Sequence, residues 1–196
     1  MSQRVFRLVI SSAAVAVAFW TGRSVRGIVP TATVVDSPSQ AMLLVGEGIP
    51  RGVVHSDSGS VTLESLFRHS RRTVLIAFEL GCKPCLAEAM LWRQVALELH
   101  ATHRFHGLAC NSQFVDNSAD VREFESIAAL GFPVWSCDPA VKRLLRAQRS
   151  PTVYEVDPDG RVWFAASGDS ASKLLEVHLR RRIAAPGSRE FSAAPD

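Results

Sequence analysis

Cysteine is scarce in this chain, and its scarcity limits what the cysteines can do. The 196 residues include four cysteines, which are too few to hold a chain of this length together as a disulfide scaffold. Ten prolines and twelve glycines are too few for a collagen-like or low-complexity chain. With 47% apolar and 21% charged residues, the sequence predicts an ordinary globular protein.

An excess of charge is also missing beyond the N-terminus. The first 26 residues contain four arginines and no acid. The remaining 18 Lys+Arg (22 − 4) face 19 Asp+Glu, a balance of −1. A near-neutral domain has no electrostatic surface for nucleic acid, so we expect no nucleic-acid partner.

Long hydrophobic runs are absent except near the N-terminus, where residues 8–22 carry no charge. This run is shorter than the roughly 20 residues of a transmembrane helix, but Arg7 and Arg23 at its ends can extend the span. A basic start, a short apolar run and Ala16-Val17-Ala18 also fit a cleaved signal peptide.

An amphipathic helix packed on the domain is the third possibility for this segment. It is disfavoured because Leu8 to Trp20 has no polar face beyond two serines. Anchor and signal peptide both predict an exported domain. We favour a retained anchor, because Phe19, Trp20 and the arginines that follow are typical of a membrane interface.

The pattern along the chain predicts four regions. Residues 1–26 are the anchor or signal peptide, 27–45 a linker, 46–183 the folded domain and 184–196 a flexible tail. The domain opens with a hairpin around Val53-Val54 and Val61-x-Leu63, followed by a short helical turn. The predicted strands after it are Thr73–Phe78, Phe105–Ala109, Phe132–Trp135, Thr152–Val156 and Arg161–Ala166, and the predicted helices are Cys85–His100, Asn117–Leu130, Pro139–Arg146 and Ser170–Arg182.

The order of these elements after the hairpin is β-α-β-α-β-α-β-β-α. Alternating strands and helices predict an α/β fold, with a mostly parallel central sheet covered by helices on both faces. The last two strands form an antiparallel hairpin around the turn Asp157-Pro158-Asp159-Gly160.

Two cysteines, Cys82 and Cys85, follow a buried strand and open a helix. At a helix N-terminus, free amide groups and the helix dipole stabilise a thiolate, so we expect Cys82 to be the nucleophile. Lys83 adds positive charge, and Pro84 is tolerated near the first helical position. Cys85, one turn into the helix, should be more shielded and act as the resolving thiol.

A metal site and a purely structural bridge are the alternatives for this pair. A closed zinc site needs four ligands, and there is no second C-x-x-C motif. His100, His103 and His106 lie where a helix gives way to a strand, so one helical face cannot present all three. A bridge across two residues closes too small a loop to stabilise the fold much. We therefore expect a redox dithiol, with no metal and no cofactor.

With these motifs the chain resembles the thioredoxin-fold TlpA/ResA-like thiol–disulfide oxidoreductases of the AhpC/TSA-redoxin superfamily, over roughly residues 46–183. The resemblance depends on Cys82-x-x-Cys85, on Ser150-Pro151-Thr152 about 65 residues later, and on Asp157-x-x-Gly160. Further matching motifs are Gly46 with Pro50, Asp57-x-Gly59 before Val61-x-Leu63, Glu88, and Phe132-Pro133-Val134 before Asp138.

The resemblance implies a thioredoxin-like fold, with a central mixed sheet flanked by helices and an N-terminal β-hairpin extension. It also implies that Pro151 is a cis-proline facing the dithiol, and that Thr152, the next residue, supports it. The backbone of Ser150 would then pair with an extended substrate segment.

Four positions depart from the family pattern. Gly81 stands where Trp usually precedes the first cysteine, and Met90 where a proline is common. Ile76 occupies the place of a buried acid, and Phe78 is the one aromatic left in its strand. Glu79 could accept the proton of Cys85 or face water at the strand end, and we favour the second interpretation.

The implied function is thiol–disulfide exchange on exported proteins, as a reductant in cytochrome c or metallo-oxidase maturation. The partners would be an exported disulfide substrate and a membrane electron donor. The domain would face the periplasm from a single-pass anchor in the inner membrane. A peroxiredoxin-like peroxidase is one alternative, although its Pro and Thr around a single cysteine are missing. A copper or haem chaperone is the other, although C-x-x-x-C with a matching histidine is missing too.

The remaining cysteines, Cys110 and Cys137, each end a predicted strand. In this topology the two strands should be parallel neighbours, which would bring the Cα atoms within about 7 Å. The sequence leaves two possibilities open: a second, structural disulfide, or two buried free thiols.

Overall fold

A mixed sheet of seven strands forms the centre of the domain. The computed structural model describes residues 42–68, 70, 72–111 and 118–184. The chain divides into two units, residues 1–35 and 36–196, and every described residue belongs to the second. The elements are β1 (Val53–Ser56), β2 (Gly59–Thr62), a 3-10 turn (Leu63–Leu66), β3 (Thr73–Phe78), α1 (Lys83–Leu99), β4 (Arg104–Cys110), α2 (Ser118–Ala128), β5 (Val134–Cys137), α3 (Pro139–Leu144), β6 (Thr152–Val156), β7 (Val162–Ser167) and α4 (Ala171–Ala184).

The strand order is β2-β1-β5-β4-β3-β6-β7. The three central strands β3, β4 and β5 are parallel, and β6, β7 and the β1–β2 hairpin add antiparallel pairs. The carboxyl ends of the three parallel strands lie at the same end of the sheet. We call this the upper end, where β3 stops at Phe78 and β6 begins at Thr152. The lower end is where β3 begins at Thr73 and β6 stops at Val156.

Strand β3 is buried along its whole length because both faces of the sheet are covered. On one face, Ile76 and Phe78 pack with α1, α2 and α4 around the buried Trp92. On the other face, Leu75 packs with α3 and the hairpin around Tyr154. The strand therefore lies between two apolar cores, which hold its upper end in place.

The carboxylate of Glu155 is buried against the sheet near its lower end. Glu155 on β6 has no exposed surface. Its oxygens accept from His178 Nε2 at 2.6 Å and from Arg72 Nη1 at 3.2 Å. His103 and Arg182 also lie within 3.4 Å of the carboxylate. Buried charges are tolerated when they are paired in this way.

The predicted α/β fold and element order are confirmed, but the sheet is mixed rather than mostly parallel, because two of its six strand pairings are parallel and four are antiparallel. Most element boundaries differ from the predicted ones by one or two residues, and two of these differences have a local cause. Strand β5 begins two residues later than predicted, because Gly131, with a φ of +76°, and Pro133 form the turn before it. Helix α3 ends two residues earlier than predicted, at Leu144. Just beyond it, Arg146 has left the helical region, with a φ of +52°.

No helix within residues 42–68, 70, 72–111 and 118–184 is both long and apolar enough to cross a membrane. The predicted anchor or signal peptide, residues 1–26, lies outside the described residues, as does the tail beyond residue 184.

Candidate active site

The candidate active site lies at the upper end of the sheet, where β3 turns into α1. The amide of Cys82 donates to the carbonyl of Glu79 at 3.1 Å and closes the turn. Gly81 has a φ of +83°, in the left-handed region that glycine enters without strain. The glycine that departs from the family pattern is therefore required by the backbone of this turn.

Cys82 is the N-cap of α1, and the two cysteines form a disulfide with Cα atoms 5.2 Å apart. The sulfur of Cys82 accepts a hydrogen bond from the amide of Cys85 at 3.2 Å. Cys85 has no exposed surface, whereas Cys82 is half-buried and Lys83 and Pro84 are exposed. This is the difference in accessibility that the sequence predicts.

The Ser150–Pro151 peptide bond is cis, as the resemblance implied. Because Thr152 pairs with Ala77 in the antiparallel ladder, Pro151 lies beside Phe78, at the end of β3. The loop of Ser150 and Pro151 therefore shares the upper end of the sheet with the dithiol turn.

Two hydrogen bonds hold this loop. Thr152 Oγ1 donates to the carbonyl of Arg149 at 2.6 Å. The amide of Gly168, before α4, donates to the carbonyl of Pro151 at 2.9 Å. Within the described residues, neither the amide nor the carbonyl of Ser150 has a hydrogen-bond partner.

A mainly polar groove lies beside the loop. Its walls come from the loop before β6 and from the turn between β7 and α4. The side-chain stem of Arg149 packs over Gly168, so its guanidinium and the carboxylate of Asp169 bring opposite charges to the groove. The lining residues are Arg149, Ser150, Ser167, Gly168, Asp169 and Ser170.

Glu79, which we expected to face water at the strand end, is partly exposed and also forms an ion pair. Its carboxylate forms an ion pair with Lys142 of α3, and 40% of its side chain is exposed. Only 18% of the Lys142 side chain is exposed. Helix α3 covers the face of the sheet opposite α1, so the pair directs Glu79 away from the side that holds Cys85. Lys142 was not identified from the sequence, because it lies 63 residues from Glu79.

A chain of hydrogen bonds that the sequence did not indicate connects α1 and α4. Trp92 Nε1 donates to Ser172 Oγ at 2.6 Å, and Ser172 Oγ donates to Glu88. Burial raises the pKa of Glu88, and the hydrogen bond from Ser172 offsets part of that effect. Glu88 and Trp92 are four residues apart on α1, which the sequence could have shown, whereas no local pattern indicated Ser172.

Cys110 and Cys137 lie side by side at the upper ends of β4 and β5. They are register partners with Cα atoms 4.8 Å apart. Their exposed fractions are 1% and 3%, within the apolar core beneath α3. The predicted parallel neighbours are confirmed, and the separation is within the range of disulfides.

The three histidines of the H-x-x-H-x-x-H run have three different environments. His100 caps α1 and contacts the carbonyl of Leu97, and His103 contacts Glu155. His106 accepts from Trp135 Nε1, and burial lowers its pKa to about 4. Across the part of the chain that the structure describes, no three His, Cys, Asp or Glu side chains are grouped to hold a metal ion.

Comparison with known proteins shows the fold. No family model matches the sequence, and no curated protein matches it. A thiol:disulfide interchange protein from Bacteroides sp. superposes with a TM-score of 0.61 at 14% identity, covering 74% of this chain and 94% of that one. The thioredoxin domain of a thiol-disulfide oxidoreductase from Bacteroides vulgatus gives 0.57 at 15% identity, covering 69% and 98%.

A secreted Mycobacterium tuberculosis disulfide oxidoreductase, homologous to E. coli DsbE, is similar as well. Its TM-score is 0.52 at 20% identity, over 66% of this chain and 95% of that one. At such identities the likeness establishes a thioredoxin-like fold.

Proposed function

We propose that this chain is a thiol–disulfide oxidoreductase that uses Cys82 and Cys85 as its redox couple. The observation that carries the proposal is the position of the dithiol, at the N-terminus of α1 and at the same end of the sheet as the cis-proline loop. The solved structures of similar fold include thiol–disulfide oxidoreductases, which supports the same conclusion.

The exchange proceeds in two steps with the reduced protein. The thiolate of Cys82 attacks one sulfur of a substrate disulfide, forms a mixed disulfide and releases the other substrate sulfur as a thiolate. The thiol of Cys85 then loses its proton and attacks the sulfur of Cys82. This step closes the Cys82–Cys85 disulfide and releases the second substrate thiolate. Two electrons pass to the substrate, and the amide of Cys85 stabilises the Cys82 thiolate.

The free backbone of Ser150 supports a role in substrate binding. An extended segment of the substrate would pair with it as an added strand. The substrate's side chains would then lie in the groove between Arg149 and Asp169. In this arrangement Pro151 lies beside the substrate disulfide, and Thr152 holds the loop that presents Ser150.

We further propose that the substrates are exported proteins and that the chain reduces them, in cytochrome c or metallo-oxidase maturation. A membrane electron donor would regenerate the dithiol. The domain would be tethered to the inner membrane and would face the periplasm. The uncharged segment 8–22 supports this location, and one protein of similar fold is secreted.

Insulin reduction in the presence of dithiothreitol tests the activity. We expect the wild-type chain to accelerate it, and we expect the Cys82→Ala variant to lose the acceleration. A Cys110→Ala variant is the matched control, because it removes a cysteine outside the proposed couple. If the wild type consumes peroxide instead, or binds copper stoichiometrically at both thiols without reducing insulin, the oxidoreductase proposal fails.

A further inference from the structure

The lower end of the sheet, opposite the dithiol, carries a tryptophan between two arginines. Trp163 on β7 is 40% exposed. The guanidinium carbon of Arg72 lies 4.2 Å from the centroid of its ring, and that of Arg182 lies 5.2 Å from it. Trp163 Nε1 donates to Asp157 Oδ2 at 2.9 Å. The ring is therefore held in place while a large part of it stays exposed.

Three more arginines lie at this end. Arg104 starts β4, Arg161 precedes β7, and Arg181 is in the last turn of α4. All three are exposed, and none has an ion-pair partner within the described residues. The lower end thus presents cationic groups that no acid among the described residues neutralises through an ion pair.

The acids at this end do little to offset them. Glu155 is fully buried and already shared among two arginines and two histidines. Asp157 accepts from the amides of Asp159 and Arg161 and from Trp163. Glu98, next to Leu97 on α1, is paired with Arg180, and Glu47 is paired with Arg146. Asp159 is exposed. The accessible charge of this surface is therefore mainly positive.

Exposed apolar side chains accompany the arginines. Helices α1 and α4 both end here, with Leu97 60% exposed and Ile183 54% exposed. A groove beside Leu97 is lined by His100, Arg104 and Phe132 as well. The lower end thus combines cations, a tryptophan and aliphatic side chains, and we call this set the basic–apolar surface. It comprises Arg72, Leu97, Arg104, Arg161, Trp163, Arg181, Arg182 and Ile183.

The described chain also enters the domain at this end. The amide of Gly46 donates to the carbonyl of Val162 at 2.8 Å, and Gly48 forms a bridge with Arg161. In the sequence, the uncharged segment 8–22 precedes this entry point. Residues 23–41 between them can span at most roughly 65 Å. A chain held in a bilayer through residues 8–22 would therefore keep the domain within that distance of the membrane.

We propose that the basic–apolar surface docks on a bilayer that contains anionic lipids. Tryptophan concentrates at the level of the lipid headgroups, and arginines near the surface are attracted to anionic lipid. Exposed apolar groups on three elements suit the boundary between headgroups and acyl chains better than a purely polar partner. Docking in this way points the dithiol away from the bilayer, toward partners in the aqueous compartment. The proposal does not depend on the redox chemistry.

Quenching of tryptophan fluorescence by brominated lipid tests the proposal on the full chain in nanodiscs. Trp20→Phe removes the tryptophan of the N-terminal segment. A variant with both Trp20→Phe and Trp163→Phe measures the fluorescence of the remaining tryptophans, and this background is subtracted. We expect Trp163 to be quenched in discs that contain phosphatidylglycerol. The quenching should be several-fold weaker in phosphatidylcholine alone, and added salt should reduce it.

Charge variants provide the matched comparison. Arg161→Gln with Arg181→Gln should abolish most of the quenching of Trp163. Arg143→Gln with Lys173→Gln removes two exposed cations nearer the upper end and should leave the quenching unchanged. Equal quenching in both kinds of disc, or equal loss in both pairs of variants, overturns the proposal. The proposal is also overturned if Trp163 is not quenched and the basic–apolar surface instead binds an acidic protein in a salt-dependent way.

Discussion

The amide of Cys85 donates to the sulfur of Cys82 across 3.2 Å, so the backbone of the residue that we propose as the resolving thiol holds the sulfur of the proposed nucleophile. In the reduced protein this amide stabilises a negative charge on Cys82, as do the other free amides of the first turn. The difference in accessibility supports the different roles that we propose for these two cysteines, and the roles can be tested.

Replacing Cys85 by Ala should leave a nucleophile that attacks but is not released. We expect a stable mixed disulfide with the natural partner, recoverable from cells without reductant and able to identify it. Cys82→Ala should trap little, because Cys85 is fully buried. Equal trapping by both variants, or faster iodoacetamide modification of Cys85 than of Cys82, would show that the assigned roles are wrong.

The buried Glu155 predicts an acid-dependent loss of stability. Burial alone would raise its pKa, but hydrogen bonds from His103 and His178, and the charges of Arg182 and Arg72, outweigh burial and lower it to about 2, from 4.5. A lowered carboxyl pKa stabilises the fold above pH 4.5, and that stability is lost as the pH falls from 4.5 toward about 2.

Glu155→Gln should therefore cost about 3 kcal/mol at neutral pH, because it leaves the partly buried Arg72 and Arg182 without their charged partner. The variant should also show a flatter dependence of unfolding free energy on pH below 4.5. Denaturant unfolding across this range measures both effects. Glu123→Gln, which changes an exposed carboxylate of α2, is the control and should keep the wild-type slope. A Glu155→Gln variant with the wild-type slope would contradict the prediction.

The ion pair of Glu79 with Lys142 predicts that Glu79 does not handle the proton of Cys85. Helix α3 and α1 lie on opposite faces of the sheet, and Lys142 directs the carboxylate toward α3. Glu79→Gln should leave the pH profile of disulfide release unchanged. It should lower stability by at most about 1 kcal/mol, as for other partly exposed pairs. A shifted pH profile, with the fold intact by circular dichroism, would restore Glu79 as a proton acceptor.

For Cys110 and Cys137 we propose a second, structural disulfide. Register pairing and a Cα separation of 4.8 Å place the two side chains together in a buried core. We expect mass spectrometry of the denatured, non-reduced and alkylated chain to find no free thiol at either position. Two alkylated thiols there, with the Cys82–Cys85 disulfide intact, would establish the buried free thiols instead.

Local patterns predicted the elements well because those patterns have local causes. The run Thr73–Phe78 is apolar throughout, so it was predicted as a doubly buried strand, and β3 has the same bounds. The boundary of β5 was wrong because the apolar residues before it, around Phe132, lie in a turn set by Gly131 and Pro133. Periodicity alone does not separate such a turn from the strand it precedes.

The sequence alone determined the α/β order, the position of the dithiol at a helix N-terminus and, through resemblance, the cis-proline at residue 151. Each depends on neighbouring residues or on a short motif. Only the tertiary structure decided that Lys142 pairs with Glu79, that Ser172 holds Glu88, and that Glu155 is buried among two arginines and two histidines. Those contacts join residues that are distant in the chain, and they depend on how the crossovers place helices over the sheet. Glutamate is almost always exposed, so no local pattern predicts a buried one that the fold surrounds with cations.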